Sequence, residues 1–255
     1  MTPTFTVLIG SAGRKSLKAS LDSIARQQRE AGDQVIVSFD TFERGHMEEQ
    51  QEFVRSYGEG FIATSYNAGY HWLGVEQINH ALRTVPITGS HLFTIGDDDV
   101  FVDGAYHHLR RLCISYPDRP ILFRFQAPNR AVLWDKPRMR PCLISGCCIA
   151  APVQFNDLMH TRIETTHDYD WMMEIIRKAH EAGHEPVWVD YVGVIARPDV
   201  RGDDVAHAGV WQCWACKRWK YREDLVLDQV RCACGVPIDL NSLLPRTVDA
   251  VPDQD

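Results

Sequence analysis

The sequence lacks several features that would each define a class of protein. No apolar run reaches the roughly 20 residues that a membrane-spanning helix needs, and there is no internal repeat or low-complexity tract. Basic residues are not in excess, since 27 Lys and Arg stand against 34 Asp and Glu, for a formal net charge of −7. A general nucleic-acid binder needs a basic surface. We therefore expect no membrane span, and contacts with nucleic acid only through a local patch.

The amino terminus also lacks the basic region of a secretory signal peptide, because residues 1–5 lead directly into a strand-like run. We therefore expect a cytoplasmic protein. In a reducing compartment the eight cysteines are expected to be free thiols or metal ligands rather than a disulfide framework. With 255 residues, 45 % of them apolar, the chain is long enough for one large domain, alone or with an appendage.

Strand-like and helix-like segments alternate along most of the chain. This alternation predicts right-handed βαβ units, and hence an α/β fold with a mostly parallel central sheet flanked by helices. The predicted strands are 6–10, 34–39, 61–64, 92–96, 121–125, 143–149 and 187–195. The predicted helices are 16–29, 47–57, one after Gly74, one from Gly104 to about Tyr116, and 167–182.

Three consecutive aspartates, Asp97, Asp98 and Asp99, follow the fourth predicted strand. Gly96 lets the chain turn at the carboxyl end of that strand, which is where α/β sheets bind their ligands. Adjacent carboxylates repel one another, and a divalent cation is the simplest compensation. Oxygen ligands of this kind suit Mg²⁺ or Mn²⁺. A solvated acidic turn is the alternative that the triplet by itself leaves open.

Two cysteine pairs lie in the C-terminal part of the chain. Cys213 and Cys216 form a Cys-x-x-Cys pair, and Cys232 and Cys234 form a Cys-x-Cys pair after fifteen intervening residues. Two close pairs separated by a hairpin-length spacer are typical of a structural zinc site, in which four thiolates leave no open position. Disulfides or four unrelated thiols are the alternative.

Four segments in this order resemble the GT-A glycosyltransferases of the family-two type, across about residues 5–210. They are similar to the family's opening strand with its nucleotide loop and first helix, its second strand, its Asp-x-Asp metal motif, and the segment that carries its catalytic base. The four segments are 6–14 with 20–24, 35–40, 96–105 and 167–171. The resemblance implies a GT-A (Rossmann-like) domain at 1–210, a zinc-ribbon-like module at 211–240 and a C-terminal tail at 241–255.

The resemblance implies a binding site for a nucleotide-sugar donor, with UDP-sugars favoured. In the first loop, glycines would permit close backbone approach and Arg14 would reach phosphate, although a plain strand-to-helix turn is the alternative. Asp40 would accept a hydrogen bond from the N3–H of uracil, or is a turn residue. The implied donor-binding residues are Ile9, Gly10, Ser11, Gly13, Arg14, Asp40, Gln77, Asp97 and Asp98.

The implied metal site consists of Asp97, Asp98 and Asp99, holding Mn²⁺ or Mg²⁺ as a Lewis acid for the departing diphosphate. His207 is a candidate further ligand, or else a surface histidine. The chain departs from the family pattern at Gly96, which aligns with the first aspartate of the family's cluster.

The implied catalytic base is Asp168, with Asp170 as the alternative. A base on the side opposite the leaving group implies inversion at the anomeric carbon. Asp168 could instead only satisfy backbone N–H groups at the start of its helix. A second departure from the family is His167, which stands where the family has glutamate before the base.

The acceptor of this predicted hexosyl- or pentosyltransferase is less defined. From Lys217 to Arg222, basic residues alternate with aromatic ones, which suits phosphate contacts and base stacking. A hydroxylated DNA base of a phage is one acceptor hypothesis, which would place the enzyme in the host cytoplasm; a purely structural role of the module is the other. Two further classes stay open, namely a sugar-nucleotide nucleotidyltransferase and a non-catalytic zinc-bearing nucleic-acid adaptor.

Overall fold

The computed structural model describes residues 2–41, 47–67, 74–127, 131–134, 136–139, 144–159 and 167–196, and the backbone of 211–212 and 219–220. Its strands are β1 (Phe5–Ser11), β2 (Gln34–Asp40), β3 (Phe61–Tyr66), β4 (His91–Gly96), β5 (Asp99–Phe101), β6 (Ile121–Gln126), β7 (Val132–Leu133), β8 (Ile149–Pro152), β9 (Val187–Ala196), β10 (Trp211–Gln212) and β11 (Trp219–Lys220). Its α-helices are α1 (Leu17–Ala25), α2 (Glu48–Arg55), α3 (Val75–Thr84), α4 (Ala105–Ser115) and α5 (His167–Glu181). Short 3₁₀ helices occupy Gly146–Cys148 and Val153–Phe155.

A nine-stranded sheet forms the centre of the described part, in the order β3-β2-β1-β4-β8-β6-β9-β5, with β7 paired to β6. The strands β3, β2, β1 and β4 are parallel to one another. Beyond β4 the sheet is mixed, because β8 runs antiparallel to β4 and β6, and β5 runs antiparallel to β9. The predicted α/β fold with a parallel sheet is thus confirmed for the first half, and the second half is a mixture of both directions.

The first strands are buried to the extent expected of a parallel sheet. Every residue of β2, and nearly every residue of β1 and β4, is buried, as expected for strands that helices cover on both faces. Phe5, Phe93, Phe101 and Tyr106 pack edge to face around one another, with ring centroids 4.9–5.9 Å apart. This aromatic cluster joins β1, β4, β5 and α4 in one core.

A buried ion pair lies at the start of β1. The Arg110 guanidinium donates to Asp33 at 2.7 Å and lies 4.4 Å from the centroid of the Phe5 ring. Asp33 also accepts the backbone N–H groups of Phe5 and Glu30, at 2.7 and 2.8 Å. Because the carboxylate is fully hydrogen-bonded, its burial is compensated. The pair thus fixes α4 and the loop before β2 against the start of β1.

The predicted strand at 143–149 is wrong over most of its length. Gly146–Cys148 is a 3₁₀ turn, and the strand begins only at Ile149. The Cys148 N–H closes the turn on the Ser145 carbonyl at 2.9 Å, and the Gly146 N–H donates to the side chain of Asp168. An apolar run favours a strand by composition, but these two hydrogen bonds compete with strand pairing locally. The sequence also failed to predict β5 and β7.

The C-terminal part is described only by its short strands. Backbone contacts divide the chain into two compact units, residues 1–162 with 166–199 and residues 163–165 with 200–255. In the second unit β10 and β11 pair antiparallel, with Trp211 opposite Lys220. The predicted limits at residues 210 and 240 stay predictions. Among the described residues, no helix is both long and apolar enough to cross a membrane.

Candidate active site

The register of the parallel strands brings the first loop and the aspartates together. Gly10, near the end of β1, lies opposite Ser38 of β2 on one side and Gly96 of β4 on the other. The residues that follow Gly10 and Gly96 therefore leave the sheet at the same edge, which is the carboxyl edge where α/β folds bind ligands. The role of this edge in binding a donor stays a prediction.

Asp97 is buried directly against the first loop. It is 4 % exposed and accepts a hydrogen bond from the Ser11 hydroxyl at 2.8 Å. The same hydroxyl accepts the N–H of Gly13, whose φ of +71° favours glycine. Burial raises the pKa of Asp97, against the lowering effects of the Ser11 hydrogen bond and the Arg14 charge. The loop thus stabilises the carboxylate form of a group whose charged form burial disfavours.

Asp98 and Asp99 each have a different principal contact. Arg14 Nη1 lies 3.1 Å from Asp98 Oδ2 and 3.6 Å from Asp97 Oδ1. Asp99 belongs to β5 and accepts the Gly96 N–H at 2.9 Å. Within the described ranges, no three His, Cys, Asp or Glu side chains are grouped to hold a metal ion.

Gly96 lies directly beside the carboxylates of the acidic triplet. A Cβ at this position would lie 2.7 Å from Asp98 Oδ1 and 3.0 Å from Asp99 Oδ2. A side chain here would therefore require the ends of these two carboxylates to shift.

The start of α3 touches the end of β1 through two glycines. A Cβ on Gly10 would lie 2.6 Å from Gly74 Cα, and Gly74 has a φ of +78°. One turn later, Gln77 is 1 % exposed, and neither polar atom of its amide has a hydrogen-bond partner among the described residues. Buried amides are nearly always hydrogen-bonded, so an unpartnered one in this position suggests a missing ligand or water.

The remaining predicted donor residues occupy two different environments. Asp40 is 7 % exposed at the end of β2, opposite Tyr66 of β3, whose ring stacks on His80 with centroids 4.8 Å apart. Ile9 is fully buried in the core, so its side chain is not at the site surface. The aromatic pair beside Asp40 was not predicted from the sequence, and no short motif marks it.

Asp168 lies in the first turn of α5 and is held by three donors. Its Oδ2 accepts the Ser145 hydroxyl and the Gly146 N–H, each at 2.9 Å, and its Oδ1 accepts the Tyr169 N–H at 2.9 Å. A Cβ on Gly146 would lie 2.8 Å from Thr94 Oγ1, so this turn packs against β4 close to the aspartates. These contacts fit the helix-start role, and they also orient the carboxylate.

Asp170 is half-buried in the same turn of α5.

Cys147 and Cys148, which follow Gly146 in the 3₁₀ turn, are buried free thiols, as predicted. Their mutual hydrogen bond and burial raise the pKa of the Cys147 thiol well above its usual range. Buried thiols are poor nucleophiles, so we assign this pair a packing role in the core and no catalytic one.

Several predicted residues lie outside the described part of the chain. They are the candidate ligand His207, the zinc ligands Cys213, Cys216, Cys232 and Cys234, and most of the basic segment from Lys217 to Arg222. The zinc site and the nucleic-acid patch therefore stay predictions. Of this segment the structure describes only the strand backbone at Trp219–Lys220.

The sheet, its helices and the site at its carboxyl edge define a mixed α/β protein with a GT-A-like fold. No family model and no curated protein sequence matches the chain.

Solved structures of the GT-A-like glycosyltransferase TarS from S. aureus do match. TarS residues 1–349 superpose with a TM-score of 0.57 and 14 % identity, over 76 % of this chain and 60 % of that one. The complex of TarS 1–349 with UDP-GlcNAc gives a TM-score of 0.55 at 13 % identity, over 76 % and 58 %. The complex with UDP gives 0.53 at 15 %, over 76 % and 60 %. The chain thus spans about 60 % of that TarS fragment, and the likeness establishes the fold.

Proposed function

We propose that this protein is a glycosyltransferase that moves a sugar from a nucleotide-diphosphate donor, with UDP-sugars favoured, to an acceptor hydroxyl. The observation that carries the proposal is the junction between the first loop and the acidic triplet, formed by the Ser11–Asp97 hydrogen bond and the Arg14–Asp98 ion pair. These residues are 86 and 84 positions apart in sequence. The junction combines a cationic side chain with carboxylates at the ligand-binding edge of the sheet, as a metal-assisted diphosphate site requires.

The donor pocket is supported by the residues around α3. At the Gly10–Gly74 contact two backbones meet with no side chain between them, and neither polar atom of the buried Gln77 amide has a partner among the described residues. Uracil has a single imide N3–H, which Asp40 would accept, and the Gln77 amide would then donate to one of the uracil carbonyl oxygens. TarS, which shares the fold, has been solved with UDP-GlcNAc and with UDP, which favours a UDP-sugar here.

The acidic triplet fits a hard divalent cation in its chemistry. Carboxylate oxygens are the ligands that Mg²⁺ and Mn²⁺ prefer, and these ions need only one or two of them beside phosphate and water. Asp98 and Asp99 are half-buried, and Asp97 is buried behind them. When bound, Mn²⁺ or Mg²⁺ would supply Lewis-acid stabilisation of the diphosphate leaving group. We propose Asp97, Asp98 and Asp99 as its holders, and the assignment of His207 as a further ligand stays a prediction from the sequence.

For the acceptor side we propose Asp168 or Asp170 as the group that takes the hydroxyl proton, with inversion at the anomeric carbon. Asp168 is oriented by Ser145 and Gly146, and Asp170 occupies the same helical turn. Retention of configuration in the product, measured by NMR, would exclude this arrangement.

Two proposals for the C-terminal segment rest on its sequence alone. The four cysteines would hold a structural Zn²⁺, and the segment from Lys217 to Arg222 would contact a nucleic-acid acceptor such as a hydroxylated DNA base. Metal analysis of the purified protein tests the zinc, which should be present at about one ion per chain. Absence of transfer to hydroxymethylated DNA, beside transfer to a simple sugar or lipid acceptor, would reject the DNA acceptor.

The function is tested by ligand-induced stabilisation followed by an activity assay. A panel of nucleotide sugars is screened by thermal unfolding with and without Mn²⁺, since a ligand of the native state raises its stability by mass action. The stabilising donor is then assayed for release of nucleoside diphosphate. Release of pyrophosphate instead would indicate a nucleotidyltransferase, and no nucleotide binding at all would indicate a non-catalytic protein.

The matched variants are Asp98→Asn and Asp103→Asn. Both remove one negative charge from the same segment, but Asp98 lies in the junction and the Asp103 side chain is 90 % exposed. We expect Asp98→Asn to lower turnover by roughly 10²–10³-fold, the size of effect typical of losing one group that stabilises the transition state. Asp103→Asn should keep wild-type turnover. Equal activity of the two variants contradicts the assignment.

A further inference from the structure

Arg14 occupies the position from which a cation would neutralise the acidic triplet. Its Nη1 lies 3.1 Å from Asp98 Oδ2 and 3.6 Å from Asp97 Oδ1. Gly13, which precedes Arg14, has a φ of +71°. Arg14 is thus a cationic side chain within ion-pair distance of both Asp97 and Asp98.

A guanidinium and a divalent cation compete for the same carboxylate oxygens. If both stayed at Asp98, two like-charged groups would lie within a few ångström of each other, where their repulsion is strong. A diphosphate relieves this conflict, because it offers the guanidinium a new anionic partner with a geometry that suits its planar fork. The Arg14 side chain is 46 % exposed, so it has room to change partner.

Resting on the function proposed above, we propose that Arg14 is the resident counter-ion of the acidic triplet and that it couples cation binding to diphosphate binding. Without nucleotide, Arg14 holds Asp98 and keeps the divalent cation out. When the donor enters, Arg14 would move to the diphosphate, which would leave Asp98 available to hold the cation. Cation and nucleotide therefore bind as a pair, each raising the affinity of the other by the same factor, as linkage requires.

The proposal is tested by binding measurements that involve no turnover. Free Mn²⁺ is measured by its EPR signal during titration of the full chain, with and without saturating UDP. UDP binding is measured by calorimetry with and without Mn²⁺. For the wild type we expect Mn²⁺ affinity to rise at least tenfold in the presence of UDP, and UDP affinity to rise by the same factor with Mn²⁺.

The decisive variant is Arg14→Gln, with Arg26→Gln as its control. Both remove one positive charge, but Arg26 pairs only loosely with exposed Asp103, at 3.9 Å. We expect Arg14→Gln to bind Mn²⁺ without UDP at least fivefold more tightly than Arg26→Gln, and to bind UDP more weakly. Coupling in Arg14→Gln should fall to within about threefold of none, and Arg26→Gln should behave like the wild type.

A third variant, Arg14→Lys, separates charge from geometry. It keeps the positive charge, so Mn²⁺ alone should still bind as weakly as in the wild type, while loss of the fork lowers UDP affinity. Thermal unfolding without ligand confirms that each variant is folded. Equal Mn²⁺ affinity of the wild type with and without UDP overturns the coupling but leaves the proposed function intact. Failure of UDP to bind under any condition overturns the proposed function as well.

Discussion

At the scale of single residues, an unpartnered polar group marks the site more clearly than the charged ones do. The amide of Gln77 is buried and has no hydrogen-bond partner among the described residues. Two positions further along the same helix, Asn79 is equally buried, but its amide both donates to and accepts from the backbone of Met159, at 2.8 Å each. The two residues thus differ in whether the fold itself satisfies them, which suggests that Asn79 is structural and Gln77 binds a ligand.

This difference predicts opposite effects of the same substitution on α3. Gln77→Leu removes an unsatisfied amide, so the free energy of unfolding should stay unchanged or rise by about 1 kcal/mol. The stabilisation that UDP confers should fall. Asn79→Leu leaves the backbone groups of Met159 unpaired and should cost about 2 kcal/mol without a specific effect on UDP. Urea unfolding with and without UDP measures both, and similar destabilisation by the two variants would contradict this view of Gln77.

At the scale of secondary-structure elements, the site depends on close approach of β1 and α3. The sequence predicted both elements correctly, and Gly10 was predicted to permit close backbone approach. The partner of that approach, Gly74, was not predicted, because a glycine before a helix is also a common turn residue. Contact between two backbones is a property of the packed pair, which neither segment encodes by itself.

The element-scale prediction concerns Gly10→Ala. The new Cβ would lie 2.6 Å from the Gly74 backbone, so α3 must shift away from β1. We expect a loss of roughly 3 kcal/mol in unfolding free energy, together with weaker nucleotide binding. Gly58→Ala is the control, because nothing lies within 4 Å of its Cβ position and only its φ of +101° is unfavourable. That variant should cost about 1 kcal/mol and bind nucleotide normally.

If Gly10→Ala is no less stable than Gly58→Ala, the close contact of β1 and α3 is not a constraint on the fold. Thermal unfolding of both variants beside the wild type gives the comparison directly.

The strand β5 shows where prediction from local sequence reaches its limit, since it begins inside the aspartate triplet, at Asp99. This three-residue strand is too short to show an apolar period. It forms by pairing with β9, in which Ala196 is the partner of Asp99, and a local sequence pattern does not predict a partner almost a hundred residues away.

At the scale of the whole molecule, His91 lies at the centre of the mixed sheet. It is 2 % exposed in β4, opposite Phe5 of β1 on one side and Pro152 of β8 on the other. Burial lowers the pKa of His91 to about 4, and a weaker influence of Asp118 acts in the opposite direction. Its Nδ1 contacts the Ser90 hydroxyl at 3.0 Å, and a backbone hydrogen bond with Pro117 also acts to raise the pKa, but less strongly than burial lowers it. Burial therefore favours the neutral imidazole.

This predicts acid sensitivity of the whole fold. Below its ordinary pKa of about 6.5 the histidine of the unfolded chain takes up a proton that the folded chain excludes. The unfolding free energy should therefore fall as the pH drops from about 6.5 towards 4, by up to ~3 kcal/mol from this residue. His91→Gln should remove most of that slope. His107→Gln, on the exposed face of α4, should leave it unchanged.

Urea unfolding at several pH values between 4 and 7 measures how the unfolding free energy of the wild type and of each variant changes with pH. The prediction is contradicted if His91→Gln keeps the wild-type pH dependence. Well above pH 6.5 His91 is neutral in both the folded and the unfolded chain. The unfolding free energies of the wild type and of His91→Gln should therefore depend on pH in the same way there.

The sequence by itself determined the elements of the first half except β5, the acidic triplet after β4, and the glycines near the end of β1 and before α3 and α4. These depend on short-range properties, namely apolar periodicity and the conformational freedom of glycine. The tertiary structure alone decided that β8 separates β4 from β6, and that Ser11 and Arg14 are the partners of Asp97 and Asp98. A periodic pattern specifies which face of a segment is buried, but it carries no information about which distant segment covers that face. Contacts between residues more than 80 positions apart are fixed only when the register of neighbouring strands is fixed.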